Sequence, residues 1–360
     1  MTNGGVRCYN DSRRGEVSER FKEPVLKTGD AAMHRGFESH PLRQFENLKS
    51  RHFDGSFFVP YRPQPPSPRE GDREAVVGVA KVGRSFSQDC IGEGRKDVIP
   101  VKIAFFDSGM GGLSVLHHAR RVLPHEQFIF YADETHVPYG TKPRAEVEQF
   151  VAEAFEFLLA QDVKAIVVAC NTATSVAVPA MRARYDLPII GMEPAAKKAL
   201  ALDAAHRVLV TATPITVAGE KMAHLIERVD HEHLVDRLAL PELVTFAERM
   251  EFESPAVDAY LRKELAPYDL SEYSALVLGC THFNYFKPAF RKILPPAMRF
   301  VDGNEGTVAQ LIRKLKECGA LASEGEQTVE YFYSGERVTD AKELERIAAY
   351  NRQLDLVYDF

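Results

Sequence analysis

Ala165-Ile166-Val167-Val168-Ala169-Cys170-Asn171-Thr172 and Ala275-Leu276-Val277-Leu278-Gly279-Cys280-Thr281-His282 share one pattern: an apolar run, a small residue, a cysteine, then two polar residues. They lie 110 positions apart. An apolar run of this length bounded by small and polar residues reads as a buried strand, and its repetition predicts two related α/β lobes. Each lobe then offers one thiol from a strand end, where polar groups of the following loop can reach a ligand.

The flanking sequence supports that reading. Residues 101–106 form an apolar run, 107–112 (DSGMGG) a turn, and 113–123 a helical pattern stopped by Pro124. The order then repeats, with strands expected at 127–131, 165–169, 189–191 and 207–210 and helices at 146–160, 176–185 and 195–202. Alternating strands and helices imply mostly parallel sheets flanked by helices, an α/β fold. In such sheets ligands sit beyond the carboxyl ends of the strands.

Composition sets the limits. The 360 residues are 45% hydrophobic and 27% charged, close to globular averages, and long enough for two domains. No stretch of 18 or more apolar residues occurs, so no membrane-spanning helix and no membrane partner is expected. The net charge of −6 is uneven: residues 1–98 hold 17 Lys and Arg against 14 Asp and Glu, and residues 99–360 hold 28 against 37. The acidic larger part argues against a nucleic-acid-binding surface. Five widely spaced cysteines (Cys8, Cys90, Cys170, Cys280, Cys318) fit a reducing, cytoplasmic setting. There is no CxxC pair and no HExxH, so no metal site is expected.

Residues 1–98 contain 11 Gly and 7 Pro and show no sustained periodicity, as expected of a disordered arm. Reverse translation suggests another origin. Glu23 to Gly29 can be written GAG CCG GTC TTG AAA ACC GGT, whose ends pair around a seven-base loop centred on TGA, like a serine tRNA anticodon arm. Arg35 to His40 can be written CGT GGG TTC GAA TCC CAC, like a T arm. The expectation is that this segment resembles a translated tRNA gene and that the native chain begins somewhere before Val98.

Taken singly, each polar motif has a plain structural use. A buried cysteine is commonly a small packing residue, and two could form a disulfide or a redox couple. The turn at Asp107–Gly112 lacks the third glycine of a dinucleotide fingerprint, since position 114 is Ser, yet a glycine-rich turn opening a helix still presents N–H groups to an anion. Pro138-Tyr139-Gly140 could be a turn, and Thr213 and Thr216 helix caps. Two thiols facing one ligand also suit proton transfer at carbon, one taking the proton and the other returning one to the opposite side.

Together the motifs resemble a family. IAFFDSGMGGLSV at 103–115, DETHVPYG at 133–140, CNTAT at 170–174, TPIT at 213–216 and GCTH at 279–282 resemble the glutamate racemases of the aspartate/glutamate racemase superfamily, in order and spacing, from about residue 101 to about 334. The resemblance implies cofactor-independent proton transfer at the α-carbon of glutamate, supplying D-glutamate for peptidoglycan. It implies Cys170 and Cys280 as the two acid/base thiols, acting on the D and L enantiomers respectively. Asp107, Ser108, Tyr139, Gly140, Asn171, Thr172, Thr213, Thr216, Thr281 and His282 fall on substrate-binding positions. Asp107, Glu248 and His282 match groups that assist the thiols. Glutamate is the implied small-molecule partner, and a homodimer is compatible with the family. The competing readings are an aspartate racemase, a non-catalytic amino-acid-binding protein and a dinucleotide-dependent oxidoreductase.

The expected organisation is therefore an N-terminal extension (1–98), lobe 1 from 99–195 and 303–335, lobe 2 from 196–302, and a C-terminal tail (336–360), with the active site in the cleft between pseudo-symmetric lobes.

Overall fold

Two sheets account for the alternating pattern. The computed structural model describes residues 101–358, apart from 193–194 and 204, and these fall in one unit, Val77–Phe360. The readings of residues 1–98 lie outside the described residues. The first sheet contains β1 (Lys102–Asp107), β2 (Gln127–Ala132), β3 (Val163–Val168), β4 (Ile189–Gly191), β9 (Thr328–Tyr333) and β10 (Glu336–Arg337), in the order β10-β9-β2-β1-β3-β4. All its pairings are parallel except β9 with β10. The second sheet holds β5 (Arg207–Ala212), β6 (Val235–Ala239), β7 (Tyr273–Leu278) and β8 (Arg299–Asp302), in the all-parallel order β6-β5-β7-β8.

Helices cover the sheets. In chain order the first are α1 (Leu113–Val122), α2 (Arg144–Leu159), α3 (Asn171–Val176) and α4 (Val178–Arg184). Then come α5 (Ala196–Leu202), α6 (Pro214–Ala218), α7 (Glu220–Val229), α8 (Glu242–Glu248), α9 (Pro255–Leu265) and α10 (Lys287–Arg291). The chain finishes with α11 (Asn304–Glu317) and α12 (Ala341–Val357).

Strand alternation explains how the lobes join. On β1, Ile103 and Phe105 face one core while Ala104 and Phe106 face another, because successive side chains point to opposite faces. On β7, Leu276 and Leu278 belong to the same core as Ile103 and Phe105, whereas Ala275 and Val277 pack into a third. One hydrophobic core therefore runs from the first sheet to the second. It includes Leu243, Tyr260, Phe283 and Tyr350, all buried.

The repeated motif folds as a repeat up to its cysteine. β3 and β7 have the same length and the same succession of buried and half-buried residues. Beyond the cysteines they diverge: Asn171 opens an α-helix, whereas Thr281–Phe286 is a run of 3-10 helix. The helix expected at 176–185 is α4 (Val178–Arg184), and a further short helix, α3, precedes it and ends one residue before Ala177. Pro179 lacks the N–H that a continuous helix would bond to the turn before it, and sits instead in the first turn of α4, where that N–H is not needed.

Residues 336–360, read from sequence as a tail, contain β10 and the 17-residue helix α12. Asp340 caps α12, its carboxylate accepting from the Lys342 and Glu343 N–H groups. Ile347, Tyr350, Leu354 and Val357 form a buried stripe at helical spacing. Among the described residues no helix is long and apolar enough to cross a membrane.

Candidate active site

The carboxyl ends of the central strands of both sheets meet at one cavity. β1 ends at Asp107 and leads into Ser108; β3 leads into Cys170, and β7 through Gly279 into Cys280. β5 leads to Thr213, and the backbone locks β5 to β7 where Gly279 N–H donates to the Thr211 carbonyl at 2.7 Å. Ser108, Tyr139, Gly140, Cys170, Asn171, Thr172, Thr213, Cys280, Thr281 and His282 line a small, nearly closed cavity, with Pro138 and Val244. A larger and more open pocket, bordered by His117, Lys198, Asn304 and Leu354, contains neither thiol. The smaller one holds both, so the chemistry is placed there.

Both thiols are free and nearly buried, with Cys170 5% and Cys280 6% exposed. Their surroundings differ. Cys170 caps α3, its Sγ accepting from Ala173 N–H at 3.4 Å and lying 3.6 Å from Ser108 Oγ. Burial, together with the charge of Asp107, pushes its pKa up to about 12, so at neutral pH Cys170 is a thiol. Cys280 Sγ lies 3.7 Å from His282 Nδ1, and His282 Nε2 lies 2.6 Å from Glu248 Oε1.

Burial alone would lower the His282 pKa, but its contacts with Cys280 and Glu248 outweigh that and hold it well above 6.5. The charged ring has two donors, one for the carboxylate and one for the sulfur. Gly111 N also lies 3.3 Å from Nε2, but a charged ring has no lone pair there, so the shorter Glu248 contact sets the proton.

Glu248 stands behind the histidine at the end of α8. Burial alone would raise its carboxyl; the hydrogen bond and charge of His282, the Met110 N–H at 2.8 Å and Arg346 together hold it below its ordinary value. Asp107 lies behind the cavity wall, fully buried. Its Oδ1 accepts from Gly109 N–H at 3.2 Å and its Oδ2 from Thr281 Oγ1 at 3.1 Å. Burial dominates and raises its pKa to about 6.

Hydroxyls close the cavity across the lobes. Thr172 Oγ1 of α3 lies 2.9 Å from Thr213 Oγ1, and Thr213 Oγ1 lies 3.0 Å from Thr216 Oγ1, so Thr216 supports the wall from behind. Tyr139 Oη donates to Asp133 at 2.6 Å, which leaves this residue's ring and backbone for the cavity. The Asn171 Oδ1 atom is buried and unpaired. Two glycines are demanded by close approach. A Cβ on Gly111 would lie 2.5 Å from Thr281 Oγ1 and His282 Nδ1, and one on Gly140 would lie 2.5 Å from Thr213 Cβ.

Sequence reasoning passed over Arg346, which pairs with both Glu248 and Glu134, and over Glu134 itself. The apolar stripe of α12, visible at 347, 350, 354 and 357, was the available signal for the first.

A buried pair of thiols in unlike surroundings, at equivalent strand ends of a two-lobed α/β fold and on one cavity, suits proton transfer at carbon of racemase type. The sequence profile described as Asp/Glu/Hydantoin racemase matches residues 113–311, and the chain belongs to that family. The glutamate racemase of Campylobacter curvus (strain 525.92) is 53% identical over 261 residues, covering 71% of this chain and 98% of that relative. Among solved structures, glutamate racemase from Thermus thermophilus in complex with β-chloro-D-alanine matches with TM-score 0.58 and 34% identity, covering 69% of this chain and 92% of that one. Glutamate racemase from Francisella tularensis in complex with D-glutamate matches with TM-score 0.62 and 26% identity, covering 71% and 95%.

Proposed function

We propose that this chain is a glutamate racemase, interconverting L- and D-glutamate by two-thiol proton transfer at the α-carbon without a cofactor. The observation that carries the reading is the pair of thiols, one per lobe, on one cavity in unlike surroundings. Cys280, beside His282, takes the α-proton of L-glutamate, and Cys170, as thiol, returns a proton to the other side. The developing carbanion is stabilised by the substrate's own ammonium group and by hydroxyl and N–H donors on its carboxylate. Ser108, Thr172, Thr213 and Thr281 supply the hydroxyls, and the unpaired Asn171 Oδ1 is an acceptor for the ammonium. In this reading Asp107, Glu248 and His282 assist the thiols, and Tyr139, Gly140 and Thr216 complete the substrate site. Lobe 1 comprises 99–195 and 303–335, and lobe 2 comprises 196–302. The protein acts in the cytoplasm, as a homodimer, supplying D-glutamate for peptidoglycan.

The test is incubation with each enantiomer of glutamate and aspartate in deuterated water, following circular dichroism and α-deuteration. Wild type is expected to racemise and deuterate glutamate only. Because enantiomers have equal free energy, a variant lacking either thiol loses both directions together. Deuterium exchange separates the roles: Cys170→Ala is expected to exchange the α-proton of L-glutamate, and Cys280→Ala that of D-glutamate, each without inversion. Intact racemisation in either variant overturns the two-thiol mechanism, and preference for aspartate overturns the substrate.

A further inference from the structure

The inference concerns Arg346 and rests on the racemase reading above. Arg346 lies on α12, outside the cavity, with its side chain about a quarter exposed at 24%. Its Nη1 is 3.2 Å from Glu134 Oε2, in the loop after β2 of lobe 1. Its Nη2 is 3.4 Å from Glu248 Oε2 and 3.4 Å from the Glu248 backbone carbonyl, at the end of α8 in lobe 2. Glu343, one turn earlier on α12, contributes a third carboxylate at 3.4 Å from Nη1.

Glu248 therefore divides its two oxygens. Oε1 faces inward to His282 and the Met110 N–H, and Oε2 faces outward to Arg346. The position is costly for a carboxylate. Glu248 is the last residue of α8, where the helix dipole and unpaired carbonyls disfavour negative charge. A guanidinium bonded to both the carboxylate and the terminal carbonyl offsets both effects, and its planar fork can hold them together. Glu134 adds to the need: its Oε1 is buried without a partner, and the charge of Glu248 helps to raise its pKa.

We propose that Arg346 is a positioning residue for the proton-transfer site, fixing the Glu248 carboxylate against His282 and so keeping the His282 Nδ1–H aimed at Cys280. It reaches the reaction through two residues, Glu248 and His282, and touches neither thiol. Through Glu134 it also ties the loop of lobe 1 to the end of α8. The groups around it are Glu134, Glu248, Glu343, Tyr333 on β9 and Tyr350 on its own helix. Of the three carboxylates only Glu248 leads on to a thiol.

The experiment compares Arg346→Met and Arg346→Lys with wild type in the full chain, measuring kcat and KM for both glutamate enantiomers across the pH range. R346M is expected to lower kcat by about ten- to a hundredfold, the range for loss of a charge-assisted hydrogen bond, with little change in KM. It should also move the acid limb of the profile to higher pH, because Glu248 without its cation accepts a proton more readily. R346K, which keeps the charge but not the fork, is expected to fall between. If R346M does not fold, R346K decides through kcat, and a wild-type kcat in it overturns the proposal. An acid limb at the wild-type position in folded R346M overturns the proposal, as does a change confined to KM in either variant. If wild type itself does not racemise glutamate, the racemase reading fails instead.

Discussion

Asp107 shows how burial and charge compete at one residue. Its carboxyl is fully buried and its pKa is raised to about 6, burial outweighing the charge of His282 and two hydrogen bonds. A carboxyl whose folded value exceeds its unfolded value stabilises the protein in its protonated form. That contribution is complete below the unfolded value and is lost as pH rises through about 6. From the ordinary aspartate value of 3.8, the shift corresponds to roughly 3 kcal/mol between the acid and neutral ends. Asp107→Asn is expected to remove this dependence, so that urea denaturation finds the variant more stable than wild type at neutral pH although racemisation falls. Equal stability differences at about pH 4 and about pH 7 would sink the argument. The motif DSGMGG announced a polar turn at this strand end, but not that Asp107 would sit behind the wall with Thr281 as its donor. That contact joins residues 174 positions apart.

At the scale of elements, α12 was the least legible part of the chain. No family motif marks it, and charged and amide residues interrupt its apolar ones throughout, so a tail was a reasonable expectation. The structure places Tyr350 against Phe252 and Tyr285, with its hydroxyl donating to the Ala247 carbonyl at 2.8 Å. Leu354→Ala is expected to cost about 2–5 kcal/mol, as other large-to-small core changes do. Loss of the Asp340 cap should cost about 1 kcal/mol. Leu356→Ala, at a side chain 71% exposed, should change stability by less than about 0.5 kcal/mol. Denaturant midpoints of the three variants check this, and three equal small effects would mean that α12 is only loosely attached. The strands, by contrast, were legible because burial on both faces requires continuous apolar runs, and β1, β3, β5 and β7 have them.

For the whole molecule, the decisive property is that the reacting groups are covered. Cys170, Cys280, Thr172 and Thr213 are each at most 6% exposed, and Thr172 and Thr213 meet through their hydroxyls. Entry of substrate is therefore expected to require the lobes to part, and closure to exclude water from the carbanion. Alkylation followed by peptide mapping reads this motion. Exposed Cys318 is expected to react quickly whether or not glutamate is present, while Cys170 and Cys280 react slowly and more slowly still with glutamate bound. Equal rates at all three thiols, unaffected by glutamate, would contradict a closed cleft.

The sequence by itself determined the local events: the apolar strands, the glycine-rich turn, and the repeated strand-plus-cysteine that places one thiol at the end of each central strand. These follow from backbone geometry and burial over a few residues, so they are written in short stretches of chain. Only the tertiary structure decided how the two thiols differ. Cys170 gains its proton from burial beside Asp107, and Cys280 its partner from a chain of charges running through His282 and Glu248 to Arg346. Proton affinity depends on the charges and dielectric within a few ångströms in space, and residues 280, 248 and 346 become neighbours only when α8 and α12 pack against the segment that follows β7.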